Sequence, residues 1–233
     1  MMTSPRWVDA LTQALSFPEN EYENTYQLAT VDAESMPHVR TFMHREILHP
    51  DGFPNLPVLL TTTDVRTPKV TQIYCHPFTE LAWWMSGSQD QFRVFGSVRI
   101  VTSPRTLCQA ETYEEGLLAL SKFQEQDYDW ERKRLEIFDS ISSDRKAGWC
   151  TPLPGSVMHS YEDAKKWPQT VPRLGEAQSE EDKRNQERAL DNFALVLIEP
   201  TEVDWTQLGV NPWRRTRFTR NDGEWIEEII VAS

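Results

Sequence analysis

Apolar residues recur in two rhythms along this chain, and each change of rhythm marks an element. Near the N-terminus Trp7, Leu11, Ala14 and Leu15 repeat at helical spacing behind Ser4-Pro5, a cap with a first-turn proline, and Pro18 ends that helix. From Tyr26 the period drops to two. Tyr26 to Val31 and His38 to Leu48 read as strands of a hairpin turned by Asp32-Ala33-Glu34-Ser35. After the turn signal Pro50-Asp51-Gly52, Pro57 to Thr63 is a third strand. Thr67 to Tyr74 predicts a short helix with Val70 and Ile73 inward, stopped by His76-Pro77. Thr79 to Ser86 places Leu81, Trp83 and Met85 on one face, with Ala82 and Trp84 on the other. In Gln91 to Val101, Phe92, Val94, Val98 and Ile100 alternate with Arg93, Phe95 and Arg99.

The middle third returns to the helical period over Pro104 to Phe123 and again after Asp129, where Trp130, Arg134, Ile137, Phe138 and Ile141 share a side. Gly148 to Arg173, with Pro152, Pro154, Gly155, Pro168 and Pro172, reads as loop, and the charge-rich Glu176 to Arg188 as a mobile surface insertion. Phe193 to Ile198 is apolar throughout, the mark of a strand buried on both sides. Val203 to Trp205 adds a short strand, and Asn221-Asp222-Gly223 joins Trp213–Arg220 to Trp225–Val231 as a hairpin. About eight strands with helices inserted after the fifth predict a mainly β, α+β fold. The expected architecture is an antiparallel sheet curled into a barrel with peripheral helices, one domain over 1–233 with a polar loop or insertion at about 150–190.

Charge then narrows the function. The chain carries 24 Lys and Arg against 36 Asp and Glu, a formal net charge of -12. That balance argues against a nucleic-acid partner and against anionic membrane surfaces, and no apolar run is long enough to span a bilayer. The amphipathic N-terminus, with Asp9, predicts no secretory leader. Cys75, Cys108 and Cys150 are odd in number and widely spaced, which fits free thiols in the cytoplasm.

The cations nevertheless gather in one place. Arg40 and Arg45 bracket Thr41-Phe42-Met43-His44 on one strand. Thr62-Thr63 lead to Arg66, Thr67 and Lys69 where a helix begins at Pro68. Hydroxyls, cations and the N–H groups of a helix start make an anion site, and a phosphate is the functional reading; solvated turn charges are the alternative. His38 and His44 share a strand face without a Cys or carboxylate at tight spacing, so no metal site is assigned. No nucleophile motif, Gly-rich dinucleotide fingerprint or P-loop is present, and no catalytic residue is legible. Gln91 offers a donor and an acceptor suited to a flat heterocycle, or else faces water at a strand start.

The order of these segments resembles the FMN-binding split barrel of the pyridoxamine 5′-phosphate oxidase family, most nearly its Alr4036-type branch, which also occurs in fungi. The resemblance is carried by Tyr26-Gln27-Leu28-Ala29-Thr30-Val31-Asp32, Pro37-His38-Val39-Arg40-Thr41, Thr62 to Lys69, Glu80-Leu81-Ala82-Trp83-Trp84, Gln91 to Gly96, and Arg215-Thr216-Arg217-Phe218 followed by Trp225. It implies a homodimer with FMN at the seam and an FMN-dependent oxidoreductase using hydride transfer to the flavin N5. The alternatives are a non-catalytic flavin-binding or sensing protein and a dimeric interaction module. The resemblance places Arg40 and Lys69 on the flavin phosphate, and Thr41, Phe42, Thr62, Thr63, Arg66 and Thr67 around the phosphate and ribityl chain. Gln91 falls at the ring from the neighbouring subunit. Trp205 and Arg217 complete the site, with Arg215 competing for the place of Arg217, and Arg45 falls where a true oxidase has a cation for the substrate phosphate. The oxidase's Arg-Pro-x-x-Ser-Gln grip has no counterpart in Asp144 to Pro154, which puts vitamin B6 oxidation in doubt.

Overall fold

The computed structural model describes residues 3–106 and 117–232. Half of the predicted helix Pro104–Phe123 and the thiol of Cys108 lie outside the described residues. The chain opens with α1 (Arg6–Ser16), whose Trp7, Leu11 and Ala14 are buried as their spacing requires. The strands are β1 (Thr25–Val31), β2 (Pro37–Met43), β3 (Glu46–Leu48), β4 (Val58–Asp64), β5 (Phe78–Met85), β6 (Asp90–Val101), β7 (Phe193–Gln207), β8 (Arg214–Asn221) and β9 (Glu224–Ile230). The helices after α1 are α2 (Pro68–Cys75), α3 (Leu118–Glu125), α4 (Trp130–Ser140), α5 (Ser143–Ala147) and α6 (Glu180–Asn192).

All pairings are antiparallel, in the order β2-β1-β5-β6-β7-β4-β3, with the β8–β9 hairpin added on β7. The chain passes from β2 to β3 through only His44 and Arg45, so the two ends of that order are joined covalently and the sheet closes into a barrel. The predicted single strand His38–Leu48 is therefore two strands. At the seam the His44 amide donates to the Asn24 carbonyl and the Arg45 amide to the Leu60 carbonyl, so hydrogen bonding switches from one partner to another.

β7 is the axis of the packing. Ala194, Val196 and Ile198 enter the barrel core with Leu28, Leu59, Leu81, Trp83, Phe92 and Val94. Phe193, Leu195 and Leu197 enter a second core with Val58, Leu60, Phe123, Ile137, Phe138 and Ala189, under the helices. The continuous apolar run is thus buried on both sides, as its composition requires. A β-bulge breaks the β6–β7 register between Phe95 and Gly96, opposite Pro200. A bulge is where a sheet tolerates proline, and a Cβ on Gly96 would stand 2.2 Å from the Glu199 carbonyl oxygen. The Glu199 side chain, fully buried, accepts from the amides of Ala119 and Leu120 at 3.0 and 3.1 Å and meets Arg220 Nη2 at 2.7 Å. One carboxylate ties the start of α3 to the barrel wall. Asp222 and Gly223 both take positive φ, the geometry a two-residue hairpin turn demands.

The polar stretch read as an insertion is more ordered than its composition implied. Residues 151–179 are loop with one short 3₁₀ turn at Tyr161–Lys166, but Glu180–Asn192 is helical. Ser179 caps it in a reciprocal capping box with Asp182. Its inner edge is fastened: Ala189 is buried, Gln186 Nε2 donates to the Pro172 and Arg173 carbonyls, and the Cys150 thiol donates to the Asn185 carbonyl.

Candidate functional site

Two neighbouring groups of cations lie beside the barrel seam. The first comprises Arg40 on β2 and Lys69 in the first turn of α2. Arg40 shares the inward face of β2 with Phe42, opposite Leu28 and Tyr26 of β1. Its guanidinium donates to Thr30 Oγ1, to the His38 carbonyl at 2.8 Å and to Gln72 Oε1 at 2.7 Å. Gln72 Oε1 also accepts from Thr30 Oγ1 at 2.6 Å, so a buried neutral network aims the guanidinium without neutralising it. Lys69 Nζ donates to Thr67 Oγ1 at 3.0 Å and stands 5.7 Å from the centre of the Phe42 ring. Burial, then the charge of Arg40, lowers the Lys69 pKa, and Asp64 offsets part of that. Burial lowers Arg40 as well.

The second group is Arg45 at the seam and Arg145 on α5. Burial and then the charge of Arg145 lower the Arg45 pKa. Its Nε is buried without a hydrogen-bond partner. Among the described residues, none of Arg40, Lys69, Arg45 and Arg145 has a carboxylate within 4 Å, although the chain has an excess of twelve acids. Partly desolvated cations without counter-charges are the donor set that a phosphate dianion fits. The residues present therefore fit the phosphate of FMN.

The structure sorts the other expected site residues. Thr67 lies beside Lys69 and donates to the Asp64 carbonyl. Thr63 and Thr62 alternate on β4, Thr63 toward the barrel beside Ala194 and Thr62 toward the helical core beside Leu195, so they do not share a face. Thr41 points outward from β2, away from Phe42. Arg66 is already engaged: its Nε and Nη2 reach the Asp64 carboxylate at 2.9 and 2.6 Å, and its Nη1 donates to the Thr151 carbonyl at 2.8 Å. Arg66 thus ties the β4–α2 turn to the segment after α5. Asp64, two residues upstream, is the partner the cation count overlooked.

Gln91 and Arg217 lie on the outer face of the sheet with Trp84, Arg93 and Phe95, and are separated from Arg40 within one chain by the sheet itself. Trp205 faces the opposite way, stacked on Phe92 at 5.8 Å with its indole N–H on Asp90 and Arg6 over its ring. Of the two C-terminal arginines, Arg215 chelates Asp204, which also accepts one hydrogen bond from Arg93 Nη2 at 3.1 Å, while Arg217 Nε lies 3.9 Å from Glu202. Burial would raise the Asp204 carboxyl, but hydrogen bonds from Arg215 and Arg93 outweigh it and hold the group below its usual range. Thr30 and Gln72, which orient Arg40, were not singled out from the sequence. Their signal is a polar residue at an inward-facing position of an otherwise apolar strand or helix.

His44, between the two groups, packs on Trp83 with centroids 4.9 Å apart and leaves Nδ1 unpartnered. Burial, then Arg45, depresses its pKa from 6.5 to about 4. The unfolded chain therefore binds the proton more readily than the folded one between those values. Stability is full above about pH 6.5 and declines as pH falls toward 4, by up to about 3 kcal/mol. Urea midpoints from pH 7 to 4 should show this slope, and His44→Gln should flatten it.

Comparison with known proteins agrees with this geometry. Residues 4–102 match the family described as pyridoxamine 5′-phosphate oxidase, FMN-binding domain. The chain is 24% identical over 207 residues to pyridoxine/pyridoxamine 5′-phosphate oxidase 2 of Arabidopsis thaliana, covering 88% of this chain and 84% of that one. Its fold is similar to a pyridoxamine 5′-phosphate oxidase-related, FMN-binding protein from Nostoc punctiforme, with a TM-score of 0.73 and 24% identity over 99% of this chain and 100% of the other. It is also similar to PhzG from Burkholderia lata, solved with tetrahydrophenazine-1-carboxylic acid, at a TM-score of 0.59 and 11% identity over 97% and 88%. The antiparallel barrel, the uncompensated cations at its seam and the match over residues 4–102 lead to one conclusion: the chain is a flavoprotein that resembles pyridoxamine 5′-phosphate oxidase, its residues 4–102 being similar to the FMN-binding domain of that family.

Proposed function

We propose that the protein is an FMN-dependent oxidoreductase working as a homodimer in the cytoplasm, in the Alr4036-type branch of the family. The observation that carries this reading is the pair Arg40 and Lys69, desolvated and without a carboxylate partner at the start of α2. FMN, when bound, supplies hydride acceptance. Arg40 and Lys69 would hold its phosphate, with Thr67 orienting the Lys69 ammonium. Gln91, an amide that both donates and accepts, and Arg217, a cation with a weak partner, would face the ring system from the second protomer. Arg217 would then stabilise negative charge on the reduced ring.

The outer sheet face supports two-fold assembly. Trp83 is fully buried while Trp84, its neighbour, is 39% exposed on the outer face of β5, which further along carries the exposed Phe78 stacked on Phe95, so one strand serves both the barrel core and apolar side chains outside it. Trp84→Glu should convert the dimer to monomers in sedimentation velocity at micromolar concentration and release FMN with it. A wild-type monomer that retains FMN would refute the shared site.

A flavin-holding role without turnover is the second reading, favoured by the departure from the oxidase at Asp144 to Pro154. Mixing the yellow holoprotein anaerobically with pyridoxamine 5′-phosphate or a reduced pyridine nucleotide decides between them. Bleaching of the flavin band supports the oxidoreductase, and a band that persists with every reductant supports the binder.

A further inference from the structure

We infer that Gln72 is a positioning residue for the phosphate of the cofactor: its neutral amide oxygen, with the Thr30 hydroxyl, fixes the Arg40 guanidinium in place and leaves the whole of its charge for the ligand. The inference rests on the FMN reading above and concerns a residue that acts through Arg40.

Gln72 lies three residues after Lys69, so the two share a face of α2. Val70 and Ile73 beside it fill the barrel core, and Gln72 itself is only 8% exposed. An amide buried in this way costs stability unless its hydrogen bonds are made. Here the partners fix the direction of every bond. Arg40 can only donate, so the Gln72 atom 2.7 Å from its Nη2 is the oxygen. Thr30 Oγ1 accepts from Arg40 Nη1 at 2.5 Å and turns its own hydrogen to Gln72 Oε1 at 2.6 Å. Arg40, Thr30 and Gln72 thus close a ring of hydrogen bonds that joins β2, β1 and α2.

The His38 carbonyl takes the second hydrogen of Nη1 at 2.8 Å. Three of the five N–H groups of Arg40 are spent on neutral acceptors. The remaining two, on Nε and Nη2, meet no acceptor among the described residues. A guanidinium held like this has given up its rotamer freedom before a ligand arrives, and it keeps a full charge and two neighbouring donors, which the oxygens of a phosphate match. A carboxylate at position 72 would make the same two bonds and discharge the cation. The amide makes them and does not.

The test compares FMN with riboflavin, which differs from it by the phosphate alone, in fluorescence-quenching titrations over a range of salt concentrations. The wild type should bind FMN at least about tenfold more tightly than riboflavin and lose FMN affinity as salt rises. Gln72→Glu keeps the shape and both hydrogen bonds and adds a counter-charge. It should weaken FMN by about 10- to 100-fold, flatten the salt dependence and leave riboflavin within about twofold of wild type. Gln72→Met, similar in length and uncharged, should cost FMN about three- to tenfold and keep the wild-type salt dependence. A merely structural role for Gln72 would weaken both flavins together and leave the salt dependence alone. That result in Gln72→Glu, or unchanged FMN affinity, would overturn the inference. If Gln72→Glu does not fold, Gln72→Met decides: a loss confined to FMN supports the inference, and an equal loss of both flavins or no loss overturns it. A wild type that holds FMN no more tightly than riboflavin brings down the phosphate reading itself, and the inference with it.

Discussion

Replacing Lys69 by alanine lowers FMN affinity by about 10- to 100-fold, the worth of one charge-assisted contact of about 1.5–3 kcal/mol. The ammonium is partly desolvated before any ligand arrives, and Arg40 repels it. Its removal therefore takes a counter-charge from the phosphate while relieving a like-charge contact in the free protein. The FMN-free variant should melt at or slightly above the wild-type temperature, and the rise in midpoint on adding FMN should shrink in proportion to the lost affinity. Quenching of flavin fluorescence on titration measures the affinity directly. An unchanged dissociation constant would remove Lys69 from the phosphate site.

The second large effect is on stability. Glu199→Gln should destabilise the fold by about 3–5 kcal/mol, because Arg220, itself buried, keeps its charge and loses its partner. The amides of Ala119 and Leu120 lose a charged acceptor in the same substitution. For a chain of this size the melting temperature should fall by about 10 °C. The double variant Glu199→Met with Arg220→Met leaves no orphaned charge and should recover most of the loss. A single variant within 1 kcal/mol of wild type in urea unfolding would show that water reaches the pair.

The β framework was legible because each strand advertises its burial. Leu81, Trp83 and Met85 alternate with exposed or half-buried neighbours, Asp222-Gly223 turns its hairpin, and the uninterrupted run after Phe193 fills two cores. Arg40 and Lys69 were legible because charge is rare on an inward strand face and informative at a helix start. Partnership was not legible. Asp64 lies two residues before Arg66 but five before Lys69, and only the turn geometry shows that it chelates the first and leaves the second without a carboxylate; Arg215 and Arg217 differ by side-chain reach in three dimensions. The order of Glu180–Asn192 was missed because its composition is that of a solvated tract, and its stability comes from one cap and one buried edge. Arg145 escaped notice because it lies about a hundred residues from the strand it meets.

The position of β7 between β6 and β4 has a consequence for synthesis. During translation β4 and β6 are complete about ninety residues before the strand that separates them leaves the ribosome. Until then the nascent chain holds two unpaired edges, one of them twelve residues long and rich in Phe, Val and Ile. The barrel cannot close locally, since the Asp90–Gln207 pairing spans more than a hundred residues and closure waits on the whole helical insert. Chains truncated before Phe193 should accumulate as aggregates, while full-length chains refold slowly and in a single late step. In the cell such a protein depends on something to shield the open edges of β4 and β6 while the insert is made.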